Sequence, residues 1–258
     1  MDAIDDQTAL VTCSHPTFKS GALYDIPAIT AQAHRKGALV LWDFSHGVGS
    51  VPLELDRWEV DLAVGCCYKY LNGGPGAPAF LYIRRGLQEK LLSPIEGWWG
   101  HASPFAFNLD YHPANSILRF LSGTPPMLSL LAIEPAVDLL LEAGIERLRQ
   151  KSIRLSQYLL QLWEYYLLPW GFSLASPRDP QRRGSHISIR HPDGYRICRA
   201  LVEEMNVIPD FREPDNLRLG LAPIYTSFTD VWHGINRICR VMEEKRYLHY
   251  ETDRLGVT

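Results

Sequence analysis

The residues best suited to chemistry are Lys69, inside Tyr68-Lys69-Tyr70-Leu71-Asn72-Gly73-Gly74-Pro75-Gly76, and the pair Asp43 and His46, inside Trp42-Asp43-Phe44-Ser45-His46. A lysine amine attacks carbonyl carbon, so it can anchor an aldehyde-bearing cofactor. A carboxylate can hold a pyridine nitrogen protonated so that the ring accepts electrons, and a histidine can pack on or orient that carboxylate. This set matches what pyridoxal 5'-phosphate requires of its protein. The same residue types also suit plainer roles: Asp43 as a strand-end cap, Lys69 as a solvated loop lysine and His46 as a satisfied turn residue.

Two short apolar runs precede these groups, Ala38–Trp42 and Leu62–Cys66, each without charge and each closed by a polar or glycine-rich turn. Such runs read as buried strands of a parallel sheet. Ligands bind beyond the C-terminal ends of strands in open α/β sheets. Asp43, His46, Tyr68 and Lys69 therefore converge on one edge although the sequence separates them.

The preceding segment fits that frame. Ala9–Cys13 reads as a strand ending at Ser14, Asp25 caps a helix over Ile26–Lys36 with Pro27 in its first turn, and Gly37 stops it. Strand, helix and strand make one right-handed crossover. After Lys69, the Gly73–Gly76 turn excludes helix, and Pro78–Ile83 returns as a strand followed by a short helix. Thr124 reads as an N-cap with Pro125 behind it, a placement that also suits an anion ligand. This helix runs to Ala143, Gly144 breaks it, and Ile145–Leu167 forms a long amphipathic helix with Leu148, Leu155, Leu159 and Leu162 on one side. The rest alternates through strand His186–Arg190, helix Tyr195–Met205, strands Val207–Pro209 and Leu217–Leu221, and helix Thr229–Glu244, with Gln181–Gly184 as an exposed hairpin entry. Two domains are expected, 1–144 and 145–258.

Composition narrows the class. The 258 residues are 46% hydrophobic and 21% charged, with a formal net charge of −3. That is an ordinary globular balance, without the basic run that nucleic acid or an anionic membrane demands. Apolar runs such as Met127–Ile133 are too short to span a bilayer. Cys13, Cys66, Cys67, Cys198 and Cys239 lack metal-ligand spacing and read as reduced core residues of a cytoplasmic protein. Arg218 lies within an apolar strand and demands an anionic partner, either a ligand carboxylate gripped in a fork or an internal Asp210 or Glu213.

The segments DFSHGVG, CCYKYLNGGPG, EGWWGH and LRLGLAPIY together resemble kynureninase, of the class V branch of the fold type I pyridoxal phosphate enzymes. The likeness is collinear from about Ala9 to about Glu244. It implies an α/β fold: part of the family's large domain, with a mostly parallel sheet and helices, followed by a smaller α+β domain. It further implies hydrolysis of L-kynurenine to anthranilate and L-alanine, within tryptophan catabolism and NAD biosynthesis, by a homodimer with shared sites.

By position, the resemblance assigns Lys69, Tyr68 and Asp43 to catalysis. It assigns Ser14, Asp43, His46, Tyr68, Lys69, Trp98 and Thr124 to the cofactor, Trp98 and Thr124 reaching it from the neighbouring subunit, and Arg218, His101 and Gly123 to the substrate. A plainer role for Tyr68 is packing beside Tyr70. A cysteine desulfurase shares Asp43, His46 and Lys69, but its lysine follows a histidine, whereas Lys69 follows Tyr68. A non-catalytic dimerisation or binding module on the same fold is the further alternative. The family's phosphate loop and ring-stacking aromatic have no counterpart from Ala9 onward. The 258 residues alone are accordingly expected to be poorly soluble or partly unfolded, to hold cofactor weakly and not to turn over.

Overall fold

The computed structural model describes residues 2–252. They form two compact units. One comprises residues up to Cys13, Asp25–Ser45 and Glu54–Asp138, and the other Ser14–Tyr24, His46–Leu53 and the chain from Leu139 onward. Sequence periodicity places Ser14–Tyr24 and His46–Leu53 with their chain neighbours; in the structure both join the C-terminal part.

The first unit is built on a four-stranded sheet in the order β1 (Leu10–Ser14), β2 (Leu39–Asp43), β3 (Leu62–Cys66), β4 (Ala79–Ile83). Strands β2 and β3 are parallel with Asp43 opposite Val64, while β4 returns antiparallel to β3. Between β1 and β2 runs α1 (Ile26–Arg35). Asp25 caps it by accepting from Ala28 N at 3.0 Å, Pro27 lies in its first turn, and Gly37 follows it at φ +78°.

A carboxylate that periodicity alone does not single out ties these elements together. Asp61 is fully buried; Oδ2 accepts from His34 Nε2 on α1 at 2.8 Å and from Val40 N on β2 at 2.9 Å, and Oδ1 accepts from Arg84 Nη2 beyond β4 at 2.6 Å. A buried charge of this kind is tolerated only because every side of it is hydrogen-bonded.

The helix expected from Thr124 begins later, as α2 (Met127–Leu131) with Pro126 at its N-cap, and α3 (Ile133–Ala143) follows. Pro126 restricts Pro125 to extended backbone, so the helix cannot start before the second proline. Thr124 is therefore not a cap. Beyond Arg84, a single short turn (Arg85–Leu87) replaces the expected helix.

The second unit carries an antiparallel sheet in the order β5 (Ser173–Leu174), β6 (His186–Arg190), β8 (Asn216–Gly220), β7 (Asp210–Arg212). The strand expected at Val207–Pro209 lies at Asp210–Arg212 instead, since Pro209 has no N–H to give a ladder. Helices α4 (Ile145–Leu162), α5 (Gly194–Met205) and α6 (Phe228–Glu243) build the core with this sheet. Leu155, Leu159, Leu201, Ile235 and Ile238 meet Ile187, Ile189 and Leu217 there. Burying each such side chain contributes roughly 1.5–3 kcal/mol.

Beyond Leu162 the helix widens into one turn over Trp163–Leu167. Ser227 and Asp230 close a capping box on α6. Arg183, expected in an exposed hairpin entry, is buried, with its guanidinium on the carbonyls of Pro177 and Arg178 at 2.7 and 2.6 Å. Among the described residues no helix is long and apolar enough to cross a membrane.

Candidate active site

Asp43 and Lys69 sit past neighbouring strand ends of the first unit. In β2, Val40 and Trp42 are buried, so the pleat turns Asp43 to the other face. Asp43 Oδ1 accepts from Ser45 N at 2.9 Å, which turns the chain sharply at the strand end. Capping and cofactor-holding are compatible, because a carboxylate has further lone pairs to offer.

Three residues past β3, the Lys69 backbone is fixed by its glycine turn. Asn72 N donates to Lys69 O at 3.0 Å and Gly73 N to Cys67 O at 2.8 Å. A Cβ on Gly73 would lie 2.9 Å from Cys67 O, so this turn tolerates no side chain there. Lys69 Nζ stands 5.0 Å from the centroid of the Tyr68 ring. Tyr68 is exposed, and Tyr70 is the tyrosine that packs inside.

Trp98, His101, Gly123 and Thr124 gather in a second region of the same unit. A Cβ on Gly97 would fall 1.7 Å from Ser122 O, and one on Gly100 would fall 2.7 Å from Leu121 O. The glycines beside the tryptophans thus let two backbones touch, and they bring Trp98 Nε1 to 3.9 Å from the Cβ position of Gly123. Arg119, which sequence reasoning passed over, holds this region from inside. It donates to the carbonyls of Ala114, Gln88, Glu89 and Leu91 at 2.8 to 3.2 Å. His101 accepts from Ser103 N through Nδ1 at 2.8 Å, and a cavity of about 340 Å³ opens beside it, Trp98 and Tyr111.

Ser14, His46 and Arg218 belong to the second unit. Arg218 forms the internal ion pair that was the alternative to a ligand carboxylate: Nη2 bonds Asp210, directly across from it on β7. Its Nη1 donates to Phe18 O at 2.5 Å and lies 3.5 Å from His46 Nε2. Behind His46 stands buried His186, ring centroids 5.6 Å apart.

Burial, then His46 and Arg218, lowers His186 to about 3; burial, then Arg149, lowers His15 to about 4. Both rings are neutral in the fold, whereas an unfolded histidine titrates near 6.5. The unfolded chain therefore takes up protons first as pH falls. Their stabilisation is complete above about pH 6.5 and is lost toward the folded values, by up to ~1.4 kcal/mol per pH unit for each histidine. Urea unfolding followed by circular dichroism should give a lower midpoint at pH 5 than at pH 7, and His186→Gln should flatten that slope. Equal midpoints for the unsubstituted chain at the two pH values would contradict the assignment.

A carboxylate at the end of β2, and a phenol and an amine past the end of neighbouring β3 on a backbone fixed by a glycine turn, are the residue types that suit pyridoxal phosphate. Residues 148–238 match the family model of the kynureninase C-terminal domain. A kynureninase of Pseudomonas fluorescens is 40% identical over 245 residues, covering 95% of this chain and 59% of the relative. One from Burkholderia mallei strain SAVP1 is 39% identical over 246 residues, with the same shares. The sequence relatives are kynureninases.

The chain spans 59% of the length of these kynureninases. Among solved structures, an apo cysteine desulfurase from Thermococcus onnurineus has a TM-score of 0.78 at 15% identity, covering 93% of this chain and 65% of that one. A mutant of C-DES with glycine covalently linked to its PLP cofactor reaches 0.80 at 21%, covering 92% and 62%. These likenesses, at such identities, establish that the chain shares the α/β fold of those two structures and nothing finer. The desulfurase alternative shares the backbone, while the 40% identity along the chain runs to kynureninases.

Proposed function

We propose that this chain carries the lysine-bearing part of a pyridoxal phosphate-dependent hydrolase that cleaves L-kynurenine to anthranilate and L-alanine. The observation that carries the reading is the 40% identity over 95% of the chain, together with Asp43, Tyr68 and Lys69 on adjoining strand ends. When bound, the cofactor supplies an electron sink for the carbanion that cleavage leaves. Lys69 anchors the cofactor and then moves a proton at the substrate α-carbon as base and acid. Asp43 stabilises the protonated pyridine nitrogen with its charge. His46 orients Asp43. Tyr68, exposed beside Lys69, donates a proton to the carbanion and a hydrogen bond to the phosphate, which Ser14 also holds.

Arg218 grips the substrate carboxylate by sharing the guanidinium with Asp210, and His101 and Gly123 line the aromatic end of the substrate. Trp98 and Thr124 serve the phosphate of a second copy in a homodimer. Support for that partner comes from Phe105, Phe107 and Leu109 near Trp98, which expose 70% or more of their surface, since such apolar patches mark interaction faces. Five free thiols favour a cytoplasmic protein, consistent with a place in tryptophan catabolism and NAD biosynthesis.

The test uses a full-span form, in which this chain is joined to the region of the Pseudomonas fluorescens relative that it does not span. Gly123 has no side chain and the Thr124 hydroxyl is given to the phosphate, so neither is left to satisfy a 3-hydroxyl on the substrate, and unsubstituted L-kynurenine should give the higher kcat/KM by anthranilate fluorescence. Preference for 3-hydroxykynurenine refutes the specificity, and no release from either substrate refutes the activity.

A further inference from the structure

In the second unit, the segment that begins at Ser14 is held through four consecutive carbonyls. Phe18 O accepts from Arg218 Nη1 at 2.5 Å, Lys19 O from Ser188 Oγ, Ser20 O from Ser176 Oγ at 2.7 Å, and Gly21 O from Gly184 N at 2.8 Å. The strand pleat explains the arrangement. Ile187 and Ile189 face the helical core, so Ser188 faces away, and the register sets Ser188, Arg218 and Asp210 side by side across β6, β8 and β7. Ser176 is itself locked, accepting from Ser188 N at 2.8 Å.

Little slack separates this clamp from Ser14. His15 is buried and accepts from Tyr24 N at 3.2 Å, Pro16 lies against Gly184, where a Cβ would come within 2.5 Å, and Thr17 Oγ1 accepts from Ala22 N at 3.0 Å. Hydroxyl-to-carbonyl bonds on successive residues fix both position and tilt of a backbone. Such a segment transmits a shift at Phe18–Ser20 to Ser14.

We propose that Ser188 and Ser176 are positioning residues that hold Ser14 at the cofactor phosphate, in the same framework that holds Arg218 for the substrate carboxylate. The proposal rests on the reading of Ser14 as a phosphate ligand. It assigns function to two serines whose hydroxyls bond backbone carbonyls of the chain. Loss of either hydroxyl releases one carbonyl of the segment and loosens the phosphate end of the site.

The experiment compares the affinities of pyridoxal phosphate and pyridoxal for the full-span form, by titration of the visible absorption band. Only the first ligand has a phosphate, so the ratio of the two isolates that end of the site. Ser188→Ala should weaken pyridoxal phosphate about three- to tenfold, the worth of one hydrogen bond, and leave pyridoxal within twofold. Ser188→Thr, which keeps the hydroxyl, should restore the ratio. Ser176→Ala gives an independent reading should Ser188→Ala fold poorly. Ser14→Ala, run in parallel, separates the two levels. If Ser14→Ala lowers the ratio while Ser188→Ala and Ser176→Ala leave it unchanged, the clamp is refuted and the reading of Ser14 stands. An unchanged ratio in Ser14→Ala overturns both. Equal weakening of both ligands in the two alanine variants reduces the serines to a general structural role and also overturns the proposal.

Discussion

Lys69→Ala in the full-span form is expected to lower kcat by about 10³-fold or more, because it removes both the anchor of the cofactor and the base that moves the α-proton. The variant should keep its fold. Lys69 is half-buried in a loop whose shape depends on backbone bonds, Asn72 N to Lys69 O and Gly73 N to Cys67 O, and alanine preserves both. Circular dichroism and the urea midpoint should therefore match the parent while anthranilate release disappears. Retention of more than a tenth of the parent rate would remove Lys69 from the mechanism.

Asp43→Asn is expected to separate holding from activating. The amide oxygen of asparagine can still accept from Ser45 N, as Asp43 Oδ1 does at 2.9 Å, so the turn after β2 survives. What vanishes is the negative charge that favours a protonated pyridine nitrogen. Cofactor affinity should change by less than about tenfold, whereas kcat should fall about 10²- to 10³-fold, the usual cost of deleting one preorganised electrostatic contact. A parental kcat would leave Asp43 as a cap only. A loss of cofactor affinity equal to the loss of kcat would make it an anchor rather than an activator.

Within the candidate site, the placements legible in the sequence are those written in one stretch of chain. Lys69 is marked by the glycines that shape its turn, and Asp43 by the apolar run that ends beside it. β3 begins and ends where its apolar run does, at Leu62 and Cys66, because both its neighbours bury it.

What periodicity could not supply arises where partners come from distant segments. Asp61 reads as one more polar residue after Val60, yet its ligands arrive from α1, β2 and the end of β4. Arg183 looks solvent-facing among polar neighbours, but carbonyls of Pro177 and Arg178 and Ser156 Oγ at 3.1 Å surround its guanidinium. The attachment of Ser14–Tyr24 to the second sheet was invisible for the same reason. It depends on hydroxyls of Ser176 and Ser188, whose residue type is common on any strand. Thr124 failed differently: the local cap signal was correct in kind, and the second proline overrode it.

Lys69, among all the lysines of the chain, is expected to be the one that binds the cofactor covalently. The most direct measurement incubates the chain with pyridoxal phosphate, reduces the linkage with borohydride and maps the modified peptide by mass spectrometry, in the full-span form and in the 258 residues at raised cofactor concentration. The label is predicted on the peptide containing Tyr68-Lys69-Tyr70, to disappear in Lys69→Arg, and to be absent from Lys19, Lys36, Lys90, Lys151 and Lys245 under stoichiometric conditions. Stoichiometric labelling of any of those five, with Lys69 unmodified, would contradict it.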